Sequence, residues 1–202
     1  MPTLVLVVVT VGIESEPGGS VSDDPTKLLL GISGFLETER RESGVENILW
    51  SVFSDVEHCA SARFMWNDSL VTMTRLVRRI KVRWPEIELH ILGYSYGGHT
   101  AVQLAEKLYP WMVTNLFLID PVWRWSNHMP SVFSVYGIGT LVIPKNVKTC
   151  TLWRQKQSAI RGCKVLMQSA DTGFTEDLLS HSHVKIDNSP AIQAKVIERM
   201  QA

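Results

Sequence analysis

The sequence has no excess of either charge. Lys and Arg number 20, Asp and Glu number 20, and the formal net charge is zero. A chain so balanced lacks the electrostatic footprint of a nucleic-acid binder or of a protein held on an anionic membrane. Cysteine is scarce. Cys59, Cys150 and Cys163 make an odd set without metal-ligand spacing, so free thiols in a reducing compartment are the simplest reading, with a Cys150 to Cys163 bridge around a strand pair as the alternative. Long apolar runs are missing too. The longest near the start, residues 4–9, falls far short of the roughly 20 needed to span a bilayer, and no Lys or Arg precedes it as a signal peptide requires. No internal repeat or low-complexity tract interrupts the pattern. These absences lead to the expectation of a cytoplasmic protein with no transmembrane segment, no metal and no cofactor. What remains is a chain of 202 residues, 45% hydrophobic, expected to form one domain over 1–202 around a substantial core.

The sharpest feature in that chain is a run in which Ile87, Leu89 and Ile91 alternate with polar residues and lead into Gly93-Tyr94-Ser95-Tyr96-Gly97. Thr100, Ala101, Leu104, Ala105 and Leu108 follow at spacings that line one helix face. Strand, tight glycine-flanked turn and helix together form the pattern of a nucleophile elbow, in which the serine is exposed on a strained tip above a helix N-terminus.

Around this element the patterns predict alternating strands and helices. Residues 4–11 read as a buried strand, 26–39 as a helix carrying Leu28, Leu29, Ile32, Phe35 and Leu36, and 45–53 as a strand. A helix capped by Asn67, Asp68 or Ser69 buries Leu70, Met73, Leu76, Val77 and Ile80, and stops before Pro85. Its basic run from Arg75 to Arg83 reads as a solvated face. Apolar strands follow at Val113–Ile119, 147–153 and 164–168. Ser189 and Pro190 then open a last helix with Ile192, Val196 and Met200 inward. The expected fold is α/β, a mostly parallel sheet of about five to seven strands with helices on both faces. Chemistry in such sheets collects at the carboxyl ends of the strands.

A serine hydroxyl needs a base to take its proton and an acid to orient that base. After an elbow these follow in the order acid, then histidine. Asp120, at the end of the 113–119 strand and fixed by Pro121, is the first choice of acid, and Asp171 the alternative. His183, anchored by the segment leading to Ser189, is the first choice of base, and His181 the alternative. His90 sits within the elbow strand, His99 too close behind the serine, and His58 and His128 in loops.

The elbow motif, the strand-end Asp120-Pro121 and His183 before a terminal helix resemble the α/β-hydrolase superfamily, on its lipase and esterase side. The Asp-Pro is similar to the acid position of pancreatic-type lipases. The small size, with an acid such as Asp171 close before the histidine, would instead be similar to cutinases. The resemblance implies a Ser95, His183 and Asp120 triad, with an oxyanion hole made by the backbone amides of Tyr96 and Ile13. The chain departs from many lipases in having Val11-Gly12 where a His-Gly pair precedes the oxyanion loop. The resemblance also implies a small cap or insertion at 121–146, whose Trp123, Trp125, Met129 and Phe133 would line a substrate pocket, with Met65 and Trp66 beside it. The expected function is cleavage of a small-molecule ester or lipid-like substrate with an apolar acyl group, through an acyl-enzyme. A thioesterase or acyltransferase using the same triad, or a non-catalytic hydrolase-like binding module, are the alternatives. The oligomeric state is not legible.

Overall fold

A computed structural model of the chain describes residues 24–35, 44–123, 139–156 and 161–202. The elements in chain order are β1 (Lys27–Ser33), α1 (Gly44–Asp55), β2 (Cys59–Met65), α2 (Leu70–Arg83), β3 (Glu88–Tyr94), α3 (Tyr96–Lys107), β4 (Val113–Ile119), β5 (Thr140–Ile143), β6 (Val147–Gln155), β7 (Lys164–Met167), β8 (Gly173–Leu179) and α4 (Pro190–Gln201). A six-stranded sheet runs in the order β2-β1-β3-β4-β6-β8, with β5 and β7 forming a separate two-stranded sheet. Every pairing in both sheets is parallel.

Two expected elements exchange type. The segment expected as a helix over 26–39 contains β1, and the strand expected over 45–53 is α1. The cause of the first error is that β1 is buried on both faces. Leu28 and Leu30 join the layer packed against α2 and α3, while Leu29 joins the layer packed against α1 and α4. A strand covered on both sides needs no polar alternation, so its unbroken apolar run imitates a buried helix face. In α1 the residues that turn inward are Val45, Ile48, Leu49 and Val52. That spacing is helical, and it prevails over the β-branched content that suggested a strand.

Elsewhere the patterns and the structure agree. α2 starts after Ser69 and ends at Arg83, ahead of Pro85, and α4 begins at Pro190 with Ile192, Val196 and Met200 buried. β3 and β4 are apolar strands buried along most of their length. The expected strand at 164–168 is β7, which pairs with β5 outside the main sheet, and β2, β5 and β8 were not anticipated. Residues 4–11 lie outside the described residues. Among the described residues no helix is long and apolar enough to cross a membrane.

The strand order sets where the site lies. From β1 the chain moves outward to β2, then returns to place β3 on the opposite side of β1. At such a reversal the connections leaving the two central strands diverge, and a crevice opens beyond their carboxyl ends. Ser33-Gly34 leaves β1 there, and Tyr94-Ser95 leaves β3.

Candidate active site

Ser95 links β3 directly to α3 and has φ 53° and ψ −122°. This is positive-φ backbone for a residue that carries a Cβ, a conformation costing about 1–3 kcal/mol that persists only when its surroundings impose it. The imposing contacts are on both sides of the turn. The Ser95 amide donates to the Ile119 carbonyl at 3.0 Å, and its carbonyl accepts from Gly98 at 3.0 Å and from Val122 at 2.8 Å. α3 also approaches the sheet so closely that a Cβ on Gly97 would lie 2.2 Å from the Ile32 carbonyl oxygen. A Cβ on Gly93 would meet Ala101 Cβ at 2.7 Å. The glycines flanking the serine are therefore required by close approach, the condition an elbow sets.

Asp120 follows the last residue of β4 and is fully buried, with φ 42°. Its amide is fixed by the Trp153 carbonyl at 2.6 Å. The carboxylate divides its two oxygens between two tasks. Oδ1 accepts the backbone amides of Gly162 at 2.8 Å and Gln155 at 3.3 Å, while Oδ2 lies 2.5 Å from His183 Nδ1. Amide donors of this kind compensate for the water that a buried carboxylate gives up.

His183 lies between β8 and α4, and its Nε2 is 2.9 Å from Ser95 Oγ. The loop is tied down from beneath. Tyr94 donates its hydroxyl to the His183 carbonyl at 2.7 Å and stacks its ring against the imidazole. Four residues on, Asp187 accepts the Gly44 amide at 3.1 Å. Gly44 is the first residue of α1, so Asp187 satisfies an orphan donor of a helix far away in sequence.

The remaining candidates are distributed as follows. Asp171 is exposed, and the side chain of the adjacent Thr172 bonds the carbonyl of Val147, the first residue of β6. It therefore stands at the amino end of the sheet, opposite Ser95, because β8 follows it as a strand the sequence reading did not include. His181 is half-buried, and its Nδ1 makes no hydrogen bond among the described residues. Trp123 stacks on His99 at a ring separation of 6.3 Å. Ile13, Trp125, Met129, Phe133 and His128 lie outside the described residues, as does most of the 121–146 insertion. Its described part includes β5, whose Leu141 and Ile143 complete the core.

Phe35 has no role in the sequence reading beyond helix packing. Phe35, Trp66 and Tyr96 form a cluster at the carboxyl ends of β1, β2 and β3, with ring centroids 5.4 to 5.9 Å apart. Phe35 is 46% exposed, which opens one side of the cluster to a ligand. The signal for it was the β1 assignment, since a strand ending at Ser33 delivers Gly34 and Phe35 to the crevice. A Cβ on Gly34 would lie 2.9 Å from Ser95 Cβ.

All three cysteines are free and buried. Burial pushes the thiols of Cys150 and Cys163 up to about 12 and that of Cys59 to about 11, so none is a nucleophile near neutrality. Among the described residues no group of three His, Cys, Asp or Glu side chains is placed to hold a metal ion.

No protein-family model matches the chain. No curated protein sequence matches it either. Solved structures do resemble it. The esterase domain of a Rhodothermus marinus protein superposes with a TM-score of 0.55 at 14% identity, over 90% of this chain and 87% of that one. A putative hydrolase from Agrobacterium vitis gives 0.54 at 11% identity, over 89% and 91%. A lidless α/β serine hydrolase from Xanthomonas campestris gives 0.52 at 11% identity, over 92% and 83%. At these identities the likeness is one of fold, and the fold is that of the α/β hydrolases.

Proposed function

We propose that this protein is a serine hydrolase that cleaves carboxylic esters through an acyl-enzyme. The observation that carries the reading is the unbroken hydrogen-bonded chain from Ser95 Oγ through both ring nitrogens of His183 to Asp120 Oδ2. His183 Nε2 takes the serine proton as Oγ attacks the ester carbonyl, and then delivers it to the departing alcohol. Asp120 holds the Nδ1–H tautomer and stabilises the imidazolium that forms between the two steps. A water activated by the same imidazole then releases the acid.

The negative charge on the tetrahedral intermediate needs fixed donors. Tyr96 contributes the first amide of α3, one of the helix-terminal N–H groups with no carbonyl a turn earlier to bond. The proximity of Gly34 to Ser95 supports the amide of Phe35 as the second donor in place of Ile13, because β1 is the strand whose exit adjoins the serine. The Phe35, Trp66 and Tyr96 cluster supports an apolar acyl group bound on this side.

Turnover of acyl esters of graded chain length, with matched thioesters and amides, tests this reading. Wild type should turn over esters, and Ser95→Ala should lose at least about 10⁴-fold in kcat. Equal activity of the two proteins would end it.

A further inference from the structure

A cavity lies at the carboxyl end of the sheet, beyond Asp120 as seen from Ser95. It has a volume of about 460 Å³ and is lined by Arg154, Gln155 and Lys156 from the end of β6, by Arg161, Gly162 and Lys164 from the segment entering β7, and by Leu178 of β8. Four of these seven residues are cationic. Among the described residues, Glu176 of β8 pairs with Arg154 at 2.8 Å, and the Asp120 carboxylate lies against the amides of Gln155 and Gly162. Lys156 and Lys164 make no ion pair among the described residues. In a chain of zero net charge, four cations from separate segments exceed the two acids beside them, and the excess at Lys156 and Lys164 focuses a positive field into the concavity. Guanidinium and ammonium groups together match a multiply charged oxyanion, which guanidinium can grip in bidentate fashion. The cavity volume lies within the range of small-ligand sites.

We propose that this cavity binds a phosphate-type anion. Two of its residues also anchor the acid: the amides of Gln155 and Gly162 hold Asp120 Oδ1. The anion is either a distal phosphate of the ester substrate or a free phosphate compound bound beside the site.

Calorimetric titration of the full chain with inorganic pyrophosphate, in moderate salt, tests the proposal without requiring turnover. The expected result is saturable one-to-one binding that weakens as salt rises. Binding should fall at least about tenfold in the Lys156→Gln/Lys164→Gln variant, because two unpaired cations are removed. Labelling of Ser95 by a fluorophosphonate in that variant should match wild type, which shows that the fold and the serine are intact. Absence of saturable binding at millimolar pyrophosphate, or equal binding by the variant, would overturn the proposal. Two esters of one acyl group, with and without a phosphate on the alcohol, then separate the sources. A KM at least about tenfold lower for the phosphorylated ester, abolished in the variant with kcat unchanged, assigns the cavity to the substrate. Equal KM values, with pyrophosphate still bound, assign it to a free anion.

Discussion

Tyr94 holds His183 in two ways, through a 2.7 Å hydrogen bond from its hydroxyl to the histidine carbonyl and through rings stacked 5.4 Å apart. The residue before the serine thus positions His183, although 88 residues separate His183 from Ser95. Tyr94→Phe keeps the stacked ring and removes the hydroxyl. It should cost about 1 kcal/mol in stability and roughly tenfold in kcat with KM nearly unchanged, since only the alignment of His183 is relaxed. Steady-state kinetics beside a denaturant melt would check both values, and an unchanged kcat would remove Tyr94 from the positioning of the base.

The two carboxylates weighed as acid are separable by substitution. Asp120→Asn retains the shape of a side chain anchored by Gly162 and Gln155, but cannot hold the productive histidine tautomer. Its kcat should fall by about 10⁴. Asp171→Asn, altering an exposed residue at the other end of the sheet, should leave kcat within about twofold. Measuring both variants on one ester decides between them.

Close approach of α3 to β1 makes a further stability prediction. A methyl at position 97 would press into the Ile32 and Ser33 carbonyl oxygens, at 2.2 and 2.7 Å. Backbone cannot yield as a flexible side chain can, so Gly97→Ala should lose about 3 kcal/mol or more of stability. Chemical denaturation of the variant reads this directly.

His90 gives the molecule an acid-sensitive side. It is buried where β3, β4 and β6 start, with Nδ1 facing the amide of Asn115, Nε2 lying 3.5 Å from half-exposed Glu88, and Lys27 nearby. Burial first, and then the positive charge of Lys27, lowers its pKa from 6.5 to about 4; the solvent-screened Glu88 does not offset them. The unfolded chain therefore takes up a proton in a range where the folded chain does not. Stability is full above about pH 6.5 and declines as pH falls towards 4, by on the order of 3 kcal/mol from this group. Melting temperature against pH should show this slope in wild type and a flatter one in His90→Gln.

Legibility in the sequence followed how each residue is used. The elbow was plain because close packing forces glycine at 93 and 97, and because β3 is followed at once by a helix. Asp120 and His183 were readable as residues after a buried strand and before a capped helix, and the structure brings both into hydrogen-bond reach of the serine chain. The start of the described chain was misread because β1 is apolar on both faces, so period alone could not tell it from a helix. That error hid the position of Phe35, while Ile13 lies outside the described residues. β8 was missed for the opposite reason. It is an edge strand, exposed over most of its length, so Gly173 to Leu179 lacks the apolar signature of a buried strand. Without it, Asp171 seemed to lie close to the histidine on one loop. The basic cavity was invisible because its cations come from segments that only the fold brings together.

The proposed chemistry stands on Ser95 as a nucleophile activated by His183. Intact-mass analysis after brief exposure to a fluorophosphonate ester, followed by peptide mapping, tests it most directly. The expected result is one adduct per chain, located on Ser95, absent in Ser95→Ala and slowed by orders of magnitude in His183→Ala. A folded wild-type protein that takes up no adduct, or carries it elsewhere than on Ser95, would contradict it.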